Sequence, residues 1–494
     1  MAALDLTIVS TALKAITSDL GRQELVPWTG SAYLLTACSF GTLYGKFAEI
    51  FGRKWVFLFA LIAFELGSLI CGVAPTMEIL IIGRAVAGVG GGGLISMVVV
   101  IVSDLVVPQD RGKYLSIISV LYGFSSVVGP LMGGTFSDLA TWRWCFFLNI
   151  PFGLVTMTIV LVFLKFPPVQ GNISEKMKRI DVWGTITFFV ASMTLLTPLQ
   201  LGGSIFAWNS VPVIVMFAIA FVAFGIFGYI EERIATEPLV PLSMFRNLTV
   251  TALILISACM GACFFASMYF IALFFQVVNG DSAMQAGLKT SPLILGLVLS
   301  EFSGAQLLTK TGKYKYWFII GPVLMTVGIA LISILDTNSP TLMRMAFLFI
   351  YGVGVGSLML MMVLTVQSAV ERPMIPVVTS VSQTCQYLGG SLGVAILGTL
   401  FNNLVEKNIS NNAILVQAME TLKKNGTIVD PTQVLDFLEL LKTNKVVQNS
   451  GAAQAELVQQ FMGAFHIAFL GLLPFTILMG LCGVYVVTRK IVIN

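Results

Sequence analysis

Four ionisable residues lie deepest in stretches that are otherwise oily: Asp5, Glu65, Arg84 and Glu301. A formal charge in hydrocarbon costs at least ~2.5–3.5 kcal/mol on insertion scales, so each of them needs a partner or a wet surface. A carboxylate and a guanidinium facing a watery cavity can take up and release a proton, because proton affinity follows access and the nearby cation. Asp5 and Arg84 are the pair suited to this; the alternative is a static ion pair that orients two helices. Glu65, in ELGSLICG, reads either as a second such group or as a residue packed on a small-residue face. Glu301, toward the inner end of its span, reads as a structural or surface residue. Asp104 and Asp138 lie near span ends, where snorkelling makes a charge cheap. His466 is the only histidine. With no acidic or cysteine neighbours it reads as structural. No glycine-rich nucleotide loop after a strand, no histidine pair and no Cys-x-x-Cys occurs, so no enzyme, metal or cofactor is expected.

The densest charge cluster is GKFAEIFGRK, residues 45–54, where Lys46, Glu49, Arg53 and Lys54 separate two apolar stretches. The plain reading is a basic turn that sets topology. A fainter copy, AQLLTKTGK at 305–313, aligns Gly312 with Gly52 and Lys313 with Arg53, as an internal repeat in a two-bundle chain would. Two further stretches are rich in glycine, GRAVAGVGGGG (83–93) and GFSSVVGPLMGG (123–134). Gly129 and Gly133 are four apart, a spacing that lets helix backbones meet closely. Pro130 removes one backbone donor and bends its helix. Tight packing is the minimal reading; packing plus a helix that slides on its partner is the functional one.

The chain that must position these residues has 494 residues, is 57% hydrophobic and 11% charged, and has a mean hydropathy of +0.92. Soluble domains carry roughly a quarter charged residues. A helix needs ~20 apolar residues to cross the bilayer, and about fourteen such runs are present: 1–18, 27–48, 55–74, 77–103, 112–137, 144–164, 182–202, 210–230, 248–277, 287–309, 315–335, 341–366, 374–402 and 461–487. The first begins at Met1 and is broken by Asp5 and Lys14, so span 1 is either cut short in this sequence or unusually short. Lysine and arginine gather in every second loop, which places those loops in the cytoplasm. The net charge of +4 fits that bias and is too small to suggest nucleic acid. All seven cysteines lie in apolar runs and read as reduced packing residues. Residues 403–460 form a long polar loop on the outer side. It holds an amphipathic helix, DPTQVLDFLELLK, with Asp430 as N-cap, Pro431 in the first turn and Gln433 as capping-box partner. Asn408 and Asn425 open two glycosylation sequons in it.

Six motifs, in order, resemble those of the major facilitator superfamily, and most closely its fourteen-span drug:proton antiporters common in fungi. LDLTIVSTAL (4–13) resembles the span 1 signature and GKFAEIFGRK (45–54) the superfamily's loop motif. RAVAG (84–88) resembles the span 4 motif and GPLMGG (129–134) the antiporter motif of span 5. WRWCFFLNIPFG (142–153) and QVVNGDSAMQAGL (276–288) are similar to stretches of the fourteen-span group. The resemblance implies an all-α membrane protein of two six-helix bundles plus two inserted spans: bundle 1–164, inserted pair 165–246, and bundle 247–494 with the loop 403–460. It implies proton-coupled efflux of amphiphilic organic compounds by alternating access. Partners would be a small-molecule substrate, protons and the lipid bilayer, with the chain acting as a monomer in the plasma membrane. A vacuolar membrane, a basic amino acid or iron-chelate cargo, and a non-transporting sensor stay open as alternatives.

Residue by residue, the resemblance makes Asp5 and Arg84 the proton-linked pair. Gly45, Glu49, Gly52, Arg53 and Lys54 become a cytoplasmic latch whose charges bridge to a helix of the other bundle. Gly123, Gly129, Pro130, Gly133 and Gly134 become the exchange motif. Phe264, Phe265, Tyr269 and Gln276 in span 9 are the candidates for the substrate cavity. Glu49 stands where aspartate is commoner, and Lys14 where the family usually has proline.

Overall fold

The computed structural model describes residues 1–494 except 23–24, 167–168, 170–171, 203–205, 312–313, 425–433, 444–449 and 489–494. With no water in the bilayer core, each span must satisfy its own backbone, and the helix does so within one segment. The first half comprises α1 (Ala2–Leu20), α2 (Val26–Phe51), α3 (Arg53–Gly72), α4 (Met77–Leu105), α5 (Pro108–Leu139), and a short α6 (Trp144–Phe147) leading into α7 (Asn149–Phe163). Next come α8 (Ile173–Lys178), α9 (Val182–Leu201) and α10 (Val211–Arg233). The second half comprises α11 (Leu248–Asn279), α12 (Ala283–Lys289), α13 (Ser291–Thr311), α14 (Trp317–Ser333), α15 (Thr341–Ser368), α16 (Ile375–Ser410), α17 (Ala413–Lys424), α18 (Val434–Thr443), α19 (Ser450–Leu470) and α20 (Leu473–Thr488). Caps fix the entries and exits. Thr76 caps α4 and Asp181 caps α9, each accepting from a backbone N–H of the first turn. Gly280, left-handed at φ 67, closes α11.

Among the described residues, 11 helices are long and apolar enough to cross a membrane, and Trp317–Ser333 is a shorter apolar one. α1 and α2 complete the fourteen crossings, with α19 and α20 making the last one together. Each crossing overlaps a run expected from hydropathy. The two halves repeat one packing scheme. In the first, α1 packs on α5, α2 and α3 pack on α4, and α3 packs on α7. In the second, α11 packs on α16, α13 and α14 pack on α15, and α14 packs on α20. The halves meet along two seams, α2 against α16 and α5 against α13. Of the inserted pair, α9 packs on α2 and α16, while α10 packs chiefly on α9 and turns Phe221 and Tyr229 outward. An outward apolar face is what lipid requires.

Among its described residues, the polar segment 403–460 is largely helical. α16 continues through it to Ser410, and α17, α18 and the start of α19 follow. Leu415 and Leu422 of α17 and Phe437 and Leu441 of α18 are buried in the same core as α19's Leu457 and Phe461. The charges that made this segment read as a loop occupy the outer faces of amphipathic helices. The expected cap residues Asp430, Pro431 and Gln433 lie outside the described residues, as do Asn425 and the repeat pair Gly312–Lys313. Asn408 lies within α16, half-buried, and its amide donates to the Gln460 carbonyl at 3.4 Å. That is not the exposed turn a glycan acceptor needs.

Candidate functional site

Asp5 of α1 and Arg84 of α4 do meet. Arg84 Nη1 donates to Asp5 Oδ2 at 2.5 Å, and Arg84 Nε donates to the Thr29 carbonyl of α2 at 3.0 Å. Asn149, at the start of α7, donates to Asp5 Oδ1 at 3.4 Å and to Ser68 Oγ of α3 at 3.1 Å. The guanidinium lies over the Tyr33 ring at 4.5 Å, a cation–π contact. Five helices therefore converge on one ion pair. The expectation that this pair borders a watery vestibule is overturned. Asp5 is 0% exposed and Arg84 2%, and neither lines the central cavity. Glu65 lies nearby on α3 against Gly153 of α7, and neither of its oxygens has a hydrogen-bond partner.

The glycines of α5 face two ways. A Cβ on Gly129 would come within 2.0 Å of Thr7 Oγ1, and one on Gly133 within 2.3 Å of the Ile8 carbonyl, so that face is pressed on α1. Gly123 faces the other half instead, 2.8 Å from Val298 of α13 by the same construction. Pro130 faces Gly287 of α12, and Gly134 faces Met284 of α12. The motif thus locks α1 to α5 on one side and gives the second half a smooth surface on the other.

At the end that bears the basic loops, Gly52 turns the chain at φ 92, a conformation that all but glycine avoid. Arg53 then pairs with Asp104 of α4 at 2.7 Å, and Lys54 donates to the Leu161 carbonyl of α7 at 2.8 Å. Lys46 binds Glu49 and Glu237, each at 3.1 Å, and Arg179 grips Glu237 with two bonds of 2.7 and 3.1 Å. Arg179, then Lys46, hold the Glu237 carboxyl below the usual carboxylate range. The expected bridge from Glu49, Arg53 and Lys54 to the other bundle is not made. Their partners lie in the first half. The crossing contact comes from Gly45, whose missing side chain lets α2 approach the Pro376 carbonyl of α16; a Cβ there would stand 2.5 Å away.

Between the halves lies a cavity of about 140 Å³. Phe264 and Phe265 of α11, Tyr122 of α5 and Tyr387 of α16 face it, with Gln383 and Gln386 as its amide lining. Tyr269 and Gln276 are not part of its wall. Tyr269 is exposed, and Gln276 donates to the Ala272 carbonyl of its own helix. Glu301 of α13 does line it, at 2% exposure, and its Oε2 has no partner. Glu301 is therefore neither a surface residue nor an ion-paired one.

Sequence reasoning missed several of these residues. Asn149 stands inside the quoted stretch WRWCFFLNIPFG, so its pattern was in view but not its partner. Arg179 and Glu237 belong to loops 58 positions apart, and only the fold joins them. Glu301 was visible as a charge in an apolar run; its aim toward the cavity was not.

Two repeated six-helix halves around a central cavity within the apolar layer define a membrane transporter. The chain belongs to the Major Facilitator Superfamily, whose family model matches residues 1–394. It is 35% identical over 413 residues to "Efflux pump aflT" of Aspergillus parasiticus, covering 83% of this chain and 80% of that one. It is 34% identical over 400 residues to "Multidrug transporter protein MdtP" of Bacillus subtilis, covering 81% and 73%. Among solved structures it resembles a bacterial homologue of the human lysosomal transporter Spinster in an inward-facing, unoccupied conformation. The TM-score is 0.58 at 16% identity, with 98% of this chain and 94% of that one covered. At that identity the likeness speaks for the fold alone.

Proposed function

We propose that this chain exports amphiphilic organic compounds by alternating access, driven by protons moving inward. The observation that carries the reading is the cavity between the halves, with aromatic walls, two glutamines and one carboxylate. Drug-sized ligands occupy sites of roughly 300–1,000 Å³, so a cavity of about 140 Å³ corresponds to a closed state that must widen. The names of the relatives, an efflux pump and a multidrug transporter, support outward movement.

In this reading the bundles 1–164 and 247–494 rock about the cavity, and 165–246 is the inserted pair. The basic loops face the cytoplasm. The Gly45 approach to α16 holds that side shut, and the Lys46–Glu237–Arg179 group ties the inserted pair to α2. Asp5 and Arg84 brace the first bundle. Glu65, neither of whose oxygens has a protein partner, and Glu301, whose Oε2 has none, are the proton acceptors. One chain supplies both halves of the cavity and works as a monomer, in the plasma membrane.

The test is substrate movement in proteoliposomes under an imposed pH gradient. Gradient-dependent accumulation of a lipophilic dye on the side that releases protons is expected. Flux that ignores a collapsed gradient would refute the coupling, and transport of basic amino acids or iron chelates in its place would refute the cargo.

A further inference from the structure

A second cavity, of about 670 Å³, opens at the end opposite the basic loops. It lies within the second half rather than between the halves. Its volume falls in the roughly 300–1,000 Å³ range of ligand sites. The walls come from the end of α11, the turn between α14 and α15, and helices α18 and α19. The floor is aliphatic: Val277, Leu438 and Met462 are buried there, with Val278 and Val458 half-buried beside them. The rim is polar and exposed, made by Asn279, Asp336, Thr337 and Gln459. No aromatic ring lines this cavity among the described residues, whereas four line the central one.

The rim is held in place before any ligand arrives. Arg344, at the start of α15, is 6% exposed. Its Nη1 donates to Asn279 Oδ1 at 2.7 Å, and its Nη2 to the Asp336 and Thr337 carbonyls at 3.2 and 2.7 Å. One guanidinium thus pins the end of α11 to the turn after α14. Asp336 Oδ1 accepts from the Thr337 N–H and hydroxyl at 2.7 and 3.3 Å. On the far wall, Gln454 of α19 donates to the Leu441 carbonyl of α18 at 3.1 Å and joins those helices. The one acid of the wall has the Arg344 cation behind it, so an ionic head would meet one attractive and one repulsive group. Carboxylate, hydroxyl and amide together offer hydrogen bonds of both senses, which suits hydroxyls. The floor buries a flexible aliphatic chain well and gives a flat ring nothing to stack on.

We propose that this cavity is a binding site for uncharged single-chain amphiphiles with hydroxyl-rich heads, the chain on the aliphatic floor and the head at the rim. The site is separate from the central cavity and goes beyond the export reading.

Photolabelling of the full chain in lipid nanodiscs tests this. The probe is a monoacylglycerol with a diazirine in its acyl chain, and the readout is peptide mass spectrometry. Saturable labelling of α18, α19 and the end of α11 is expected. Unlabelled monoacylglycerol should displace it about tenfold better than the matching fatty acid or alkyltrimethylammonium. Ala455→Trp puts an indole into the cavity from an exposed position and should abolish this labelling. Thr337→Val with Gln459→Leu should weaken it about tenfold, the worth of one or two hydrogen bonds. Labelling of these segments that is absent, does not saturate, persists in Ala455→Trp or yields best to an ionic amphiphile overturns the proposal. The wild-type competition needs no variant and stands even where a substitution impairs folding. Dye export by the same preparations keeps the two readings apart. Export without saturable labelling sinks this site alone, and saturable labelling without export sinks the export reading alone.

Discussion

Replacing Asp5 by alanine tests whether the α1–α4 ion pair is a brace or a proton site. The substitution leaves Arg84 charged, 2% exposed and without its 2.5 Å partner. Removing one member of a buried pair costs about 3–5 kcal/mol, because the other is stranded in a dry interior. Arg84 keeps the Thr29 carbonyl and the Tyr33 ring, which places the expected loss toward the lower end, about 3 kcal/mol. Replacing both residues by apolar ones, Asp5→Ala with Arg84→Met, removes the stranded charge. It should recover most of the loss, to within about 1 kcal/mol of wild type. The assay is unfolding in mixed micelles titrated with sodium dodecyl sulfate, paired with gradient-driven uptake by the same preparations. The brace predicts that stability and uptake fall together in Asp5→Ala and return together in the double variant. A single variant that is as stable as wild type yet blind to the proton gradient would refute the reasoning and restore Asp5 as the coupling acid.

Gly129→Val should separate α1 from α5 and lower the yield of monodisperse protein on gel filtration. Gly134→Ala should be tolerated, because its nearest neighbour is the flexible Met284 thioether at 3.5 Å. Gly52→Ala forces a side chain into a backbone conformation at φ 92 and should cost about 1–3 kcal/mol in the same micellar unfolding assay. The Glu237 carboxyl is held below its ordinary range, so its ionised form stabilises the fold fully above about pH 4.3, and that contribution fades as pH falls through the lower folded value. Spin-label distances between the basic end of α2 and the segment after α10 should therefore be flat from about pH 8 to about pH 5 and lengthen only in stronger acid. Glu237→Gln, at a partly exposed site, should lower stability by no more than about 1 kcal/mol while widening that distance distribution at all pH values.

Most of the crossings were legible because hydropathy demands them: an oily run of sufficient length has no other way to satisfy its backbone in lipid. That α5 meets some helix closely was legible as well, from Gly129 and Gly133 four apart; that the partner is α1 was not, because only the fold brings Thr7 and Ile8 to that face. The partnership of Asp5 with Arg84 followed from two stranded charges of opposite sign. Its dryness did not, because burial depends on Tyr33, Phe146 and Asn149 arriving from three further elements. The place of Glu301 was hidden for a related reason. Which face of α13 meets α5 is decided by the packing of both halves, and no local pattern encodes it. The segment 403–460 misled because its helices bury only one stripe each, and averaged polarity hides a stripe.

α9 touches both α2 and α16, and Leu196 packs among Leu35, Cys38, Tyr387 and Leu388 where those two helices meet. Ser31 also donates to Gln200, and Phe40 meets Phe189 edge-on at 5.3 Å. That helix plugs one flank of the molecule like a bung. The opposite flank is bordered by lipid-facing Leu121 and Phe124 on α5 and by Leu299 and Phe302 on α13. Among the described residues the inserted pair therefore covers the α2–α16 seam and leaves the α5–α13 seam bare to lipid.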